Sequence, residues 1–201
     1  MENKLNFTQT FADAFKLGMA NAVNLLLTVI LYVLTVWIPY LNVGTTIGFF
    51  KIVAALSKGE AIDPLSIFSK QNYKGLGDFF LLMGLETAGL GAAGVFFFIP
   101  AIVLGIAWRY SMLFFVDKGL SPLKSLSTSY DTTCGEKWRI FLIYAAAGLA
   151  VCLVAGIFAS IPKVGGVLAF LILIAAIAFM IGLEAVMYKH FAAKLEAAPA
   201  E

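Results

Sequence analysis

DFFLLMGLETAGLGAAGVFFFIPAIVLGIAWRYSMLFFV, residues 78–116, is almost continuously apolar and about twice as long as one membrane crossing requires. A helix rises about 1.5 Å per residue, so a single crossing would overshoot the bilayer. The break is written in the middle. Pro100 has no backbone N–H to donate, and Ile99 before it is biased away from helical angles. The stretch reads as two antiparallel helices meeting near Ile99-Pro100, with Glu86 on one arm and Arg109 on the other.

The rest of the chain has the same character. Of 201 residues, 61% are apolar and 13% are charged, with a mean hydropathy of +0.93. Soluble domains carry about 25% charged residues, so a water-soluble globule is excluded. Further apolar runs cover 21–40, 41–57, 138–161 and 164–188, giving six candidate spans with 78–99 and 101–116. The run 41–57 is the weakest, being short and holding Thr45, Thr46 and Lys51. The first run continues to Trp37, Pro39 and Tyr40 without the short core and cleavage site of a secretory signal, and reads as a retained span.

Basic residues orient the spans. With an inside N-terminus, segments 1–20, 58–77, 117–137 and 189–201 face the cytoplasm. Every Lys and Arg except Lys163 then lies there or in the adjoining helix halves, as the positive-inside rule asks. Five spans would move Lys58, Lys70, Lys74, Lys118, Lys124 and Lys137 outside. Trp37 and Tyr40 then mark the outer interface, and Tyr73, Trp138 and Tyr188 the inner one.

Ile-Pro recurs at 38–39, 99–100 and 161–162, each at an expected outer turn, and Gly18, Gly77 and Gly135 precede the three hairpins. Lys58-Gly59 leads to Asp63-Pro64-Leu65, as Lys118-Gly119 leads to Ser121-Pro122-Leu123. Asp or Ser before proline starts a helix, the side chain capping free N–H groups. Phe7, Phe11 and Phe15, then Leu65 and Phe68, then Leu123, Leu126 and Tyr130 give each following segment an apolar face. The expected architecture is an all-α integral membrane protein: six transmembrane helices as three hairpins, each preceded by a cytoplasmic interfacial amphipathic helix. It forms a single membrane domain over 1–201 with internal repeats at about 5–57, 62–116 and 121–190. Coincidence in an Ile-rich chain is the alternative to true repetition.

The segments Ser111–Asp117, Ser121–Leu126 and Gly135-Glu136-Lys137-Trp138-Arg139-Ile140-Phe141 carry a resemblance. Over residues 78–190 the chain resembles uncharacterised bacterial multi-pass membrane proteins related to the membrane domain fused to some glycerophosphodiester phosphodiesterases. Those have Ile-Pro before a span and G-x-K-W-R-x-F opening the next. The resemblance implies a bacterial inner-membrane protein with both termini cytoplasmic. It implies no phosphodiesterase activity, since the soluble catalytic domain is not part of this sequence.

Charges within apolar runs are costly and mark functional candidates. Glu86 and Arg109 fall at nearly equal depth and are expected to pair, with Asn24, Tyr110 or Ser111 as further hydrogen-bond partners and Lys51 within reach. That constellation reads as a cytoplasm-facing vestibule binding or translocating a lipid or small anionic solute. It also reads as a buried pair that only fixes helix register, with Lys51 snorkelling. Glu184 is expected at the interface and His190 in solvent. Gly84, Gly89, Gly91 and Gly94, and Ala145–Gly148 with Ala155 and Gly156, are expected to let helices approach closely. The Phe96-Phe97-Phe98 cluster reads as packing material.

Lys118, Lys124, Lys137 and Arg139 are placed against the inner leaflet, each worth about 1 kcal/mol there. An alternative function is a non-catalytic scaffold whose amphipathic helices bind a partner. Membrane lipids are expected partners, with a homo-oligomer or membrane-protein partner also open and no nucleic acid. One histidine and two cysteines in unrelated settings supply no metal site, and no cofactor is expected. No nucleophile–base pair or matched carboxylates point to an enzyme.

Overall fold

A computed structural model describes residues 5–96 and 98–197. Phe97 and the side chains of Phe96 and Phe98, hence the phenylalanine cluster, lie outside the described residues. All elements are helical: α1 Phe7–Ala20, α2 Ala22–Thr35, α3 Leu41–Lys58, α4 Leu76–Phe96, α5 Phe98–Trp108, α6 Ser111–Lys118, α7 Pro122–Thr133, α8 Lys137–Ala159 and α9 Gly165–Ala197, with short 3-10 turns at Pro64–Phe68 and Lys70–Tyr73.

Four segments are long and apolar enough to cross a bilayer: Leu76–Val95, Ile99–Lys118, Lys137–Ala159 and Gly165–Ala197. A fifth follows if α1 and α2, bent by 76° at Asn21, count as one broken span. The six spans expected from the apolar runs are not reached. α2 has 14 residues, about 21 Å of helix against a hydrocarbon core of about 30 Å. The Tyr40 and Tyr73 rings stack with centroids 5.0 Å apart, so they cannot mark opposite interfaces. Between them, residues 62–75 fold back along α3, with Ile67 and Asn72 against Gly48 and Tyr73 against Gly44.

That returning segment was expected to be an amphipathic helix. Asp63 does cap it, accepting from Leu65 N–H at 3.0 Å, with Pro64 in the first turn. Asn72, buried beneath, then donates to the carbonyls of Ser66 at 3.1 Å and Ile67 at 3.0 Å. A side chain that occupies these carbonyls competes with continuation of the helix. Only the matching segment after Ser121-Pro122 grows into a full helix, α7. The caps recur nonetheless: Gly59 and Gly119 end α3 and α6 at φ +76° and +61°, and Gly75 and Gly135 precede α4 and α8 at φ +78° and +81°. Gly75 therefore holds the position that Gly77 was expected to hold, and Gly18 is helical.

α1 does not pack on its phenylalanine face. It runs antiparallel along α9, with its buried face formed by Thr10, Ala14 and Gly18. Gly18 sits on the Ala178 carbonyl and Gly182 on the Ala14 carbonyl, with no room for a Cβ at either. Small residues allow that approach. Phe7 and Phe15 stay exposed, and Phe11 meets Phe179. By contrast Gly84, Gly91, Gly148 and Gly156 face open space; in α4 only Gly89 takes a close neighbour, the Trp108 ring.

α4 and α5 run antiparallel, with Gly89 against Trp108 and Gly105 beside Leu90, and Pro100 falls in the first turn of α5, where its missing N–H costs little. α8 and α9 turn at Ile161-Pro162-Lys163, with Lys163 at φ +71°. Tyr110, Phe114, Tyr188 and Phe191 are fully buried at the centre of the main core. Leu149, Leu153, Ile157, Val167 and Phe170 point outward as an apolar belt.

Candidate functional site

The span Ile99–Lys118 is interrupted. α5 stops at Trp108 and α6 begins at Ser111, leaving Arg109 and Tyr110 at the break. Inside a bilayer, backbone groups freed by a break need partners from protein or from a cavity. α7 supplies them. The Ser129 hydroxyl donates to the Ala107 carbonyl at 2.7 Å and accepts from the Tyr110 N–H at 3.2 Å, and Thr133 adds a second donor to Ala107 at 3.4 Å. Ser129 and Thr133 lie on the buried hydroxyl face of α7 together with Ser125, Thr128 and Thr132. Of its expected apolar face only Leu126 is buried; Leu123 is 67% and Tyr130 45% exposed.

The break aims Arg109 at α8 and α9. Its Nη2 donates to Glu184 Oε2 at 2.7 Å and its Nε to the same oxygen at 3.2 Å. The guanidinium carbon lies 3.8 Å from the centre of the Tyr144 ring. The Tyr144 hydroxyl donates to Glu184 Oε2 at 2.6 Å, and the Tyr110 and Tyr144 hydroxyls lie 3.3 Å apart. One cation is thus matched by one carboxylate and one aromatic face.

The expected Glu86–Arg109 pair is not formed. Glu86 accepts a hydrogen bond from the Ser111 hydroxyl, and no Lys, Arg or His among the described residues pairs with it. Equal depth did not ensure contact, because Arg109, at the break between α5 and α6, is taken by Glu184 instead. Lys51 and Asn24 do not join the site either: Lys51 Nζ donates to Asn72 Oδ1 at 3.1 Å, and Asn24 to the Ile62 carbonyl at 3.3 Å. Both hold the 62–75 segment. Tyr110 is buried behind Tyr144.

Glu184 is the carboxylate that Arg109 finds, a partner that the sequence reading did not assign to it. Tyr144, a lone hydroxyl in the apolar run of α8, was the missed signal for its partner.

A cavity of about 650 Å³ opens between α3, α4, α5 and α9, and Glu86, Arg109 and Glu184 all reach it. An apolar hollow of about 460 Å³, between α2, α3 and α9, is lined by Val29, Val33 and Leu173. Tyr32, Phe49, Met180 and Ile181 line both, so the charged chamber and the apolar groove are adjacent and share a wall.

Two other carboxylates are saturated. Asp117, its side chain 3% exposed, pairs with Lys58 and accepts from the Tyr188 hydroxyl at 2.7 Å. The hydrogen bond to Asp117 holds the Lys58 ammonium above its ordinary range. His190 is not free in solvent: its Nε2 lies 3.3 Å from Glu136 Oε1, which Lys194 approaches at 3.6 Å, and Glu136 Oε2 accepts from the Leu5 N–H at 3.4 Å. Of the residues set against the inner leaflet, Lys118 bonds Glu196 at 2.6 Å and Lys137 lies 4.0 Å from the Tyr130 ring centre. Lys124 and Arg139 make no ion pair among the described residues.

No family model matches this chain, and neither does any curated protein or solved structure.

Proposed function

We propose that this membrane protein binds or translocates a lipid-like molecule through the charged chamber and its apolar groove, and is not an enzyme. The observation that carries this reading is Glu86: a carboxyl without a cation partner among the described residues, on the wall of a cavity that adjoins an apolar groove. A pair serving only to fix helix register would be closed off and matched. The chamber holds two carboxylates and one guanidinium, so its charge balance favours a cationic or zwitterionic polar group over an anion. The ligand's polar group then sits by Glu86 and its apolar part between α2, α3 and α9. Broken helices beside a mid-membrane cavity are the usual setting for such sites.

The distribution of Lys and Arg supports an inner-membrane placement with α7 and both termini inside, in line with the bacterial family that the sequence resembles. It also supports inner-leaflet contact by Lys124, Lys137 and Arg139 beside the exposed Leu123, Tyr130 and Trp138.

The test is native mass spectrometry of the protein purified with its lipids. The wild type should retain an amine-bearing lipid, and Glu86→Gln should lose it while folding normally. Identical lipids on both proteins would defeat the reading.

A further inference from the structure

A separate cavity of about 650 Å³ lies between the start of α1, the end of α3 and residues 186–193 of α9. No residue lines both it and the chamber at Glu86. Its polar lining includes Gln9, Lys16, Lys58, Lys189 and His190, and its one acid is Asp13. Two of the basic groups are already engaged, Lys58 with Asp117 and His190 with Glu136. The others are uncommitted: among the described residues the side chains of Gln9, Lys16 and Lys189 make no hydrogen bond or ion pair.

Lysines from three helices around one carboxylate leave the hollow with an excess of positive charge. Its volume falls within the roughly 300–1,000 Å³ of small-molecule sites. Lysine recognises phosphate as a point charge, without the bidentate geometry that arginine needs. A side-chain amide at hydrogen-bonding reach and an apolar floor of Leu17, Leu56 and Val186 complete a pocket for a phosphate group carried on a small organic body.

We propose that this cavity is an anion site for a phosphate group, belonging either to a soluble phosphorylated molecule or to the headgroup of an acidic phospholipid. It does not depend on what occupies the chamber at Glu86. Lys16 and Lys189 supply the attraction, and Asp13 weakens it.

Thermal unfolding of the full chain in phosphatidylcholine nanodiscs tests the site in two arms, one titrated with inorganic pyrophosphate and one with phosphatidic acid added to the bilayer. A rise in the midpoint in either arm supports the site. A rise with pyrophosphate identifies a soluble source, and a rise with phosphatidic acid alone identifies a headgroup. The double variant Lys16→Gln/Lys189→Gln should weaken the response about tenfold or more, and Asp13→Asn should strengthen it. Neither should move the midpoint of the unliganded protein, since these side chains make no internal bond. No response in either arm, or a response that the double variant keeps in full, would overturn the proposal.

Discussion

The two ends of α6 treat their carboxylates in opposite ways. At its C-terminal end Asp117 is enclosed and saturated, held by Lys58 and by the Tyr188 hydroxyl. At its N-terminal end Ser111 meets Glu86, which has no cation and borders a cavity, while the neighbouring Arg109 is taken by Glu184 and Tyr144. A closed and matched carboxylate ties elements together. On the proposed function, an open and unmatched one keeps an interaction in reserve for something that enters. Their contacts with α6, through Ser111 and at Asp117, lie within eight residues of helix, so the difference comes from what surrounds them.

Substitutions should separate the two kinds. Asp117→Ala should cost the most stability, about 3 kcal/mol, because it leaves the Tyr188 hydroxyl without its acceptor in the core and takes away the partner of the exposed Lys58. Denaturant or detergent unfolding measures this, and the lipids retained by the folded fraction should not change. Glu184→Gln should cost about 2–3 kcal/mol through the loss of charge-assisted bonds to Arg109. It should also reduce retention of an amine-bearing lipid, since the chamber becomes neutral. Ser129→Ala leaves the Ala107 carbonyl and Tyr110 N–H without their main partner and should cost about 1–3 kcal/mol, read as faster hydrogen exchange at residues 107–111. Glu86→Gln should change stability by only about 0.5 kcal/mol, on the scale of a substitution that breaks no buried network, yet abolish selective lipid retention. A large loss of stability would place Glu86 with Asp117 as a structural group.

The smallest effect concerns pH. Lys58 is raised in the folded protein, so its contribution with Asp117 is fully present below the ordinary lysine range. It is lost only as pH rises through the higher folded value. Unfolding midpoints from pH 6 to 9 should therefore show no loss traceable to this pair, and a Lys58→Met variant should differ from wild type by a constant amount across that range.

Much of the fold was legible. The apolar runs at α4, α8 and α9, the proline-linked turns, and the paired Lys-Gly caps at 58–59 and 118–119 are local signals, and local physics fixes them. The first 75 residues were not legible in the same way. The positive-inside count reports whether the number of crossings is even, not how many there are. A hairpin of α2 and α3 leaves Lys58, Lys70 and Lys74 on the same side whether it crosses twice or not at all. The packing of α1 depends on Gly18 meeting Gly182, a contact no local pattern announces.

The site was half legible for a related reason. Position in an apolar run gives a charge its depth and marked Glu86 and Arg109 as exceptional. The direction in which each side chain leaves its helix decides its partner, and that depends on the break at Arg109-Tyr110. The buried hydroxyls of α7, which make the break tolerable, look like a solvated face in the sequence.

The most direct test of an open, negatively balanced chamber is the chemistry of a thiol placed inside it. With Cys134 and Cys152, both exposed, replaced by serine, Met83→Cys puts a thiol on the chamber wall. A cationic methanethiosulfonate reagent should modify it faster than an anionic one of similar size, and Glu86→Gln should erase that preference. Equal rates with Glu86 intact, or faster reaction with the anion, would contradict the account.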